Sequence, residues 1–244
     1  MSPCPPAWFT ATDMATFRHL FVSFALLLTA GRAVAGGHEG EWVSYRDAYR
    51  AMMAFEKYGK PKHLIQNRYQ VMPKDRNLGP DGLQLSLQGK GSSVDLPIDA
   101  TGRVVFPFSK VAYDENAVLV LNRKVDQYLF RPRISIMLRP DGVYEVAELR
   151  AACEQALAYQ RYAEPTLRER RCVGVRFVFA HGVADPGVRL RKGEGNALSM
   201  GDGPAFAGDS YDGYRVVNYR FGEASEKTPV VTQTAPLAIN PAYE

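Results

Sequence analysis

Histidine and cysteine are scarce in this chain, with 4 and 3 residues among 244. The histidines are scattered singly and no H-E-x-x-H or C-x-x-C spacing occurs, so the sequence offers no pattern for a zinc site. Phosphate loops are missing as well: Gly89-Lys90-Gly91 and Gly193-Glu194-Gly195 lack the remaining glycines and the G-K-[ST] ending. Neither a metal nor another cofactor is therefore expected. No repeat of solenoid length and no sustained heptad pattern is present, which excludes repeat arrays and coiled coils. Charge is close to balance, with 30 basic and 26 acidic residues. That leaves no basic stripe of the kind a nucleic-acid partner would need.

Long apolar runs are also lacking. The longest, Leu20 to Ala30, falls short of the roughly 20 residues needed to cross a bilayer. It follows Arg18 and precedes Ala33-Val34-Ala35-Gly36, the order of a secretory leader: a cation, a short apolar segment and a small-residue cleavage site. Cleavage is expected after Ala35. Met14 makes a better start for this leader than Met1, so residues 1–13 read as an upstream extension. The chain is expected to be periplasmic or secreted, with no transmembrane segment once residues 1–35 are removed. A lipoprotein would need a cysteine just after the apolar run, and none stands there. Cys4 leaves with the leader, and the remaining Cys153 and Cys172 form an even pair in an oxidising compartment, which predicts a disulfide.

Residues 36–221 read as a single β-rich domain. From Glu41 to Phe55 the spacing of Trp42, Tyr45, Tyr49 and Met52 predicts a helix with one aromatic face, ended by Gly59-Lys60-Pro61. His63 to Met72 reads as a strand. From Leu83 the period changes to two, with Leu83, Leu85 and Leu87 alternating with polar residues. Val94 to Ile98 contains Pro97 and so reads as an edge strand. Arg103–Phe108, Ala117–Leu121, Leu129–Leu138 and Cys172–Phe179 follow as strands, with Tyr214–Phe221 as a further one. A second helix is predicted over Val146 to Tyr162, with Leu149, Cys153 and Ala156 on one face; a link from Cys153 to Cys172 would staple it to the following strand. The fold class is α+β, mainly an antiparallel β-sandwich with two flanking helices. Residues 222–244 are rich in Thr, Pro and Ala and read as a loose tail, with Val230 and Val231 as a late edge strand.

The stretch Leu83 to Asn122, with its alternating leucines, the turn Asp99-Ala100-Thr101-Gly102 and the closing Val118-Leu119-Val120-Leu121, resembles transthyretin-like and carboxypeptidase-regulatory-like sandwiches. The order of leader, aromatic helix and strand-rich body resembles exported bacterial families of uncharacterised function. Neither resemblance implies catalytic residues. Asp99 and Gly102 have an explanation in the turn alone, because aspartate bonds its own backbone there and glycine tolerates positive φ.

Three sets of residues carry candidate chemistry. Ala197-Leu198-Ser199-Met200-Gly201 is an imperfect nucleophile elbow within the glycine-rich loop 193–213, and His181 is the histidine that could serve Ser199 as a base. The strand-before, helix-after context of an elbow is missing. Asp202, Asp209 and Asp212 offer oxygen ligands without the alternation of a calcium loop, so they read as a solvated acidic loop. Arg123, Lys124, Arg131 and Arg133, with Arg139, Arg168, Arg170 and Arg171 further along, could meet an anionic envelope polymer or lipid head groups, the arginines through their guanidinium forks; the alternative is a solvated face balanced by Glu145, Glu148 and Glu169. Trp42, Tyr45 and Tyr49 form the aromatic alternative, a stripe that also reads as core packed onto a sheet. The reading is an exported, non-catalytic module that binds a partner protein or an anionic polymer of the bacterial envelope. A periplasmic serine hydrolase, and a structural part of an envelope assembly using the tail for strand addition, stand as alternatives.

Overall fold

A computed structural model of the protein describes residues 41–190, 198–222 and 227–244. The leader lies outside the described residues, as does much of the glycine-rich run from Gly193. Fourteen strands and three helices follow one another in the described chain: β1 Glu41–Ser44, α1 Tyr45–Glu56, β2 Ile65–Pro73, β3 Leu85–Gly89, β4 Ser92–Leu96, β5 Arg103–Val104, α2 Lys110–Asp114, β6 Val118–Leu121, β7 Tyr128–Ile136, β8 Val143–Glu145, α3 Val146–Ala163, β9 Cys172–Phe179, β10 Arg189–Leu190, β11 Met200–Gly203, β12 Tyr214–Arg220, β13 Pro229–Val231 and β14 Ala238–Tyr243. The paired strands run antiparallel and the class is α+β. No helix among the described residues is long and apolar enough to cross a membrane.

The strands form three sheets, ordered β1-β6-β3-β4, β10-β13-β8 and β11-β12-β9-β14-β7-β2-β5. Alternation divides the seven-stranded sheet cleanly. On one face Ile65, Ile134, Ile136, Val175, Phe177, Val217 and Ile239 join Leu149, Ala152 and Ala156 of α3 in one core. Tyr69, Val71 and Val104 continue that face into a second core, shared with Leu85, Leu87, Leu119 and Leu121 of the four-stranded sheet and with Tyr45 and Met52 of α1. On the opposite face stand Arg68, Gln70, Arg103, Arg131, Arg133, Ser135, Arg176 and Asn240, because each neighbours a core residue in its strand and must point the other way. The sheet curls over this polar face. Tyr214 of β12 donates to the carbonyl of Ala100, next to β5, at 2.9 Å, although the two strands stand near opposite ends of the strand order.

Several sequence expectations shift here. The N-terminal helix begins at Tyr45 rather than Glu41, because Ser44 caps it by accepting from Asp47 N at 3.3 Å while Glu41–Ser44 pair with β6. The strand expected over Arg103–Phe108 stops at Val104. Pro107 has no donor for a ladder, and Ser109 caps α2 by accepting from Ala112 N at 3.2 Å. The loose tail expected over 222–244 is corrected for its described part. β14 lies between β9 and β7 in the seven-stranded sheet, and β13 is paired on both sides by β10 and β8. Ala238 and Ile239 are fully buried, so this stretch contributes core surface that its Thr, Pro and Ala content does not announce.

Cys153 of α3 and Cys172 at the start of β9 form a disulfide, with 6.0 Å between Cα atoms, joining helix to strand as the spacing suggested. Closing this loop restricts the unfolded chain by about 3 kcal/mol. The double variant Cys153→Ala/Cys172→Ala should lower the free energy of urea unfolding by about that amount; an unchanged unfolding curve would remove the staple from the account. Deleting residues 238–244 should abolish the cooperative transition altogether, since a central strand with its core residues is lost. A tail that merely hangs loose would leave that transition where it was.

Candidate functional site

The polar face of the curled sheet is where charge and burial meet. Gly102, with φ of +78°, sets the entry to β5: a Cβ there would stand 2.4 Å from the carbonyl of Val71, so only glycine lets the turn close onto β2. Asp99 finishes the turn by accepting from Thr101 N, Thr101 Oγ1 and Arg103 N at 2.7–3.0 Å. Its other oxygen accepts from Arg103 Nε at 3.1 Å. Turn chemistry therefore explains Asp99 only in part, because the same carboxylate also neutralises a buried guanidinium.

Arg103 is 2% exposed. Beyond Asp99 it donates to Ser135 Oγ at 3.0 Å and to the carbonyl of Leu237 at 2.8 Å, and it lies 5.2 Å from the Phe206 ring centre. Burial lowers its pKa, and the Asp99 carboxylate works against that shift. Arg133 is placed similarly. Its Nε donates to Gln70 Oε1 at 2.8 Å, and the Phe206 ring centre is 4.8 Å from its guanidinium carbon. Burial pushes Arg133 down to about 10, with Asp209 opposing, so it remains cationic at neutral pH.

Asp209 completes the cluster. Its side chain is fully buried, and Oδ1 accepts from both Arg131 and Arg133 while Oδ2 accepts from Gln70 Nε2 at 3.0 Å. This carboxylate comes from the segment that joins β11 to β12, which folds across the polar face. Asn240 bonds the carbonyl of Ala205, and Arg176 donates to that of Pro204 at 3.4 Å. The expectation of a solvated acidic loop is corrected for Asp209, which is buried among arginines, whereas Asp202 and Asp212 are exposed and pair at the surface with Arg215 and Arg76. No group of three or more metal-ligating side chains gathers among the described residues.

Positive charge exceeds negative on this face. Arg68, Arg103, Arg131, Arg133 and Arg176 stand against Asp99 and Asp209, and among the described residues neither Arg68 nor Arg176 makes an ion pair. Arg131 is about one third exposed, at 32%, yet its Nε is buried without an acceptor. Arg68 faces Arg133 across the β2–β7 ladder and is half-buried. These two arginines mark the open side of the cluster.

The residues singled out by sequence separate into distinct places. Arg131 and Arg133 share the sheet face, whereas Arg123 and Lys124 lie exposed between β6 and β7. Arg139 pairs with Asp141 and Glu148 beside a mainly apolar cleft of about 480 Å³ lined by His63, Leu64, Met137, Leu138, Tyr144 and Leu149. The aromatic stripe is not a surface. Tyr45 is fully buried, donating to Pro107 O and accepting from Ser109 N, and Tyr49 packs among Phe106, Phe108 and Tyr113, while Trp42 stands apart on β1. Ser199 and His181 are not brought together. Met200 is level with Phe177 through Val217, so Ser199 lies beyond Phe177 toward the start of β9, while His181 follows the strand's opposite end. Arg103, Gln70 and Asp209 were missed as site residues. The parity of Gln70 and Arg103 against Tyr69 and Val104 was the one available signal.

No protein-family model matches the chain, and neither the curated proteins nor the solved structures contain a significant match to it.

Asp209→Ala should cost about 3 kcal/mol of stability, the low end for a broken buried pair, because it leaves the mostly buried Arg133 and the one-third-exposed Arg131 without their shared carboxylate. Asp212→Ala removes only the exposed pair with Arg76 and should cost less than about 1 kcal/mol. Equal costs in urea unfolding would show that the cluster is not the site of the buried charge.

Proposed function

We propose that the protein is an exported, non-catalytic module of the bacterial envelope, whose arginine-bearing sheet face binds an anionic polymer. The observation that carries this reading is the surplus of guanidinium groups at the open side of the cluster, where half-buried Arg68 has no acidic partner among the described residues and Arg131 is about one third exposed. Planar guanidinium forks bind carboxylates and phosphates with two parallel hydrogen bonds, and partial burial strengthens such contacts relative to a solvated surface. A polymer is favoured over a protein surface because stable protein interfaces have an apolar centre. None of the large exposed apolar side chains is carried by β2 or β7.

Export is supported by the leader-like sequence and by the Cys153–Cys172 disulfide, which suits an oxidising compartment. The hydrolase alternative draws no support from the separation of Ser199 and His181. Strand addition through the tail competes with the use of β14 inside the protein's own sheet.

Fluorescence anisotropy with labelled polygalacturonate, polyphosphate and poly-L-glutamate tests the reading. Binding should weaken as salt rises. Arg68→Glu should weaken it by roughly tenfold or more, about 1.4 kcal/mol; Arg123→Glu, away from the face, should leave it near the wild-type value. Wild-type affinity in Arg68→Glu would refute the proposed face, and retention of poly-L-glutamate alone would turn the reading toward an acidic partner protein.

A further inference from the structure

The cluster of Arg131, Arg133 and Gln70 has the composition of a site for a free carboxylate. Three donors from two adjacent strands converge on the two oxygens of Asp209. Guanidinium donors to carboxylate oxygens are the strong class of hydrogen bond, and the amide of Gln70 orients the second oxygen. All three donors belong to the sheet. The acceptor does not: it arrives on the β11–β12 connection, as an internal anion laid over a surface that is otherwise strand.

That connection is anchored unevenly. Its first residues are held down, with Phe206 only 2% exposed against Arg103 and Arg133 and with Ala205 bonded by Asn240. Past Phe206 the cover thins. Ala207, Gly208 and Ser210 are exposed, and Gly208 has φ of +80° with open space where a Cβ would stand. Asp209 is therefore the single buried side chain in a short exposed arch. Beside it Arg131 Nε is buried with no acceptor among the described residues.

We propose that this cluster is a carboxylate-binding site which the chain fills with its own Asp209, and that a carboxylate-bearing ligand exchanges with Asp209 by lifting residues 207–210. The proposal rests on the reading of the arginine face as the ligand surface. Exchange is favoured over simple addition for an electrostatic reason. Stripping the anion from Arg131 and Arg133 would leave buried charge uncompensated, and a second carboxylate beside Asp209 would repel it. Swapping one carboxylate for another leaves the buried charge unchanged and lets Asp209 regain water. No bond is made or broken, and no co-reactant is needed.

Hydrogen–deuterium exchange of the full wild-type protein, with and without polygalacturonate, tests the exchange directly. Residues 207–210 should exchange faster when the polymer is bound, while Ala205 and Phe206 stay protected. Asp209→Asn, which keeps the shape and removes the competing charge, should bind polygalacturonate at least tenfold more tightly than wild type. Should this variant not fold, the wild-type exchange measurement decides alone. Binding that is lost in Arg68→Glu yet leaves residues 207–210 equally or better protected would overturn the displacement and keep the face. A polyphosphate preference accompanied by lifting would overturn the carboxylate assignment. Absence of binding by any of the three polyanions would sink the face and this proposal together.

Discussion

A guanidinium group cannot shed its proton near neutral pH, so a protein that buries one must bring oxygen atoms to it. Arg103 imposes that demand on the whole seven-stranded sheet. Its acceptors come from the turn at Asp99, from Ser135 on β7 and from Leu237 at the entrance to β14, with the Phe206 ring over it. These segments are far apart in sequence. Each must be in place before the charge is compensated, which couples the turn before β5 to the last strand of the chain. Arg133 repeats the arrangement one layer on, with Gln70 and Asp209 as its acceptors.

The two faces of this sheet answer to different physics. One is held by apolar burial against α3, α1 and the four-stranded sheet, and tolerates its partners in any chemically similar form. The other joins a small apolar cluster of Val178, Phe206, Tyr214, Val216 and Ala238 to directed bonds between charged and polar groups, where losing one partner strands another. Placing such a network on the concave side, beneath a connection rather than beneath a helix, leaves it one residue deep at the arch over Asp209. An apolar filling would have been at least as stable, since buried ion pairs rarely surpass well-packed hydrophobic residues.

Much of the strand content was legible because alternation is a local property. Leu85 and Leu87, Leu119 and Leu121, and Val175 and Phe177 each announce one buried face within a few residues. The helix α3 was legible for the same reason, and its cysteine face pointed to the disulfide. Trp42 misled because helical spacing extended one turn too far upstream, where pairing with Val120 and the Ser44 cap prevail over the pattern. β14 was hidden because a short Ala-Ile-Asn-Pro-Ala-Tyr strand takes its strength from neighbours on both sides, and those neighbours are named nowhere in its own composition.

The site was hidden more deeply than the fold. Arg131 and Arg133 stood out as a run of charge, but their significance depends on Asp209, which lies 76 residues beyond Arg133, and on Arg103, which lies 32 residues before Ser135. Sequence alone weighs those acidic residues as solvated, since glycines surround them and nothing marks the connection as one that folds inward. The deciding fact is geometric: curling the sheet until Tyr214 reaches Ala100 turns a set of outward-pointing polar residues into an interior. Once enclosed, every charge there needs a counter-charge from the same enclosure. Asp99 pairs with Arg103 and Asp209 with Arg131 and Arg133, while Arg68 and Arg176 have neutral partners only among the described residues. The imbalance is greatest where Arg68 and Arg131 meet solvent.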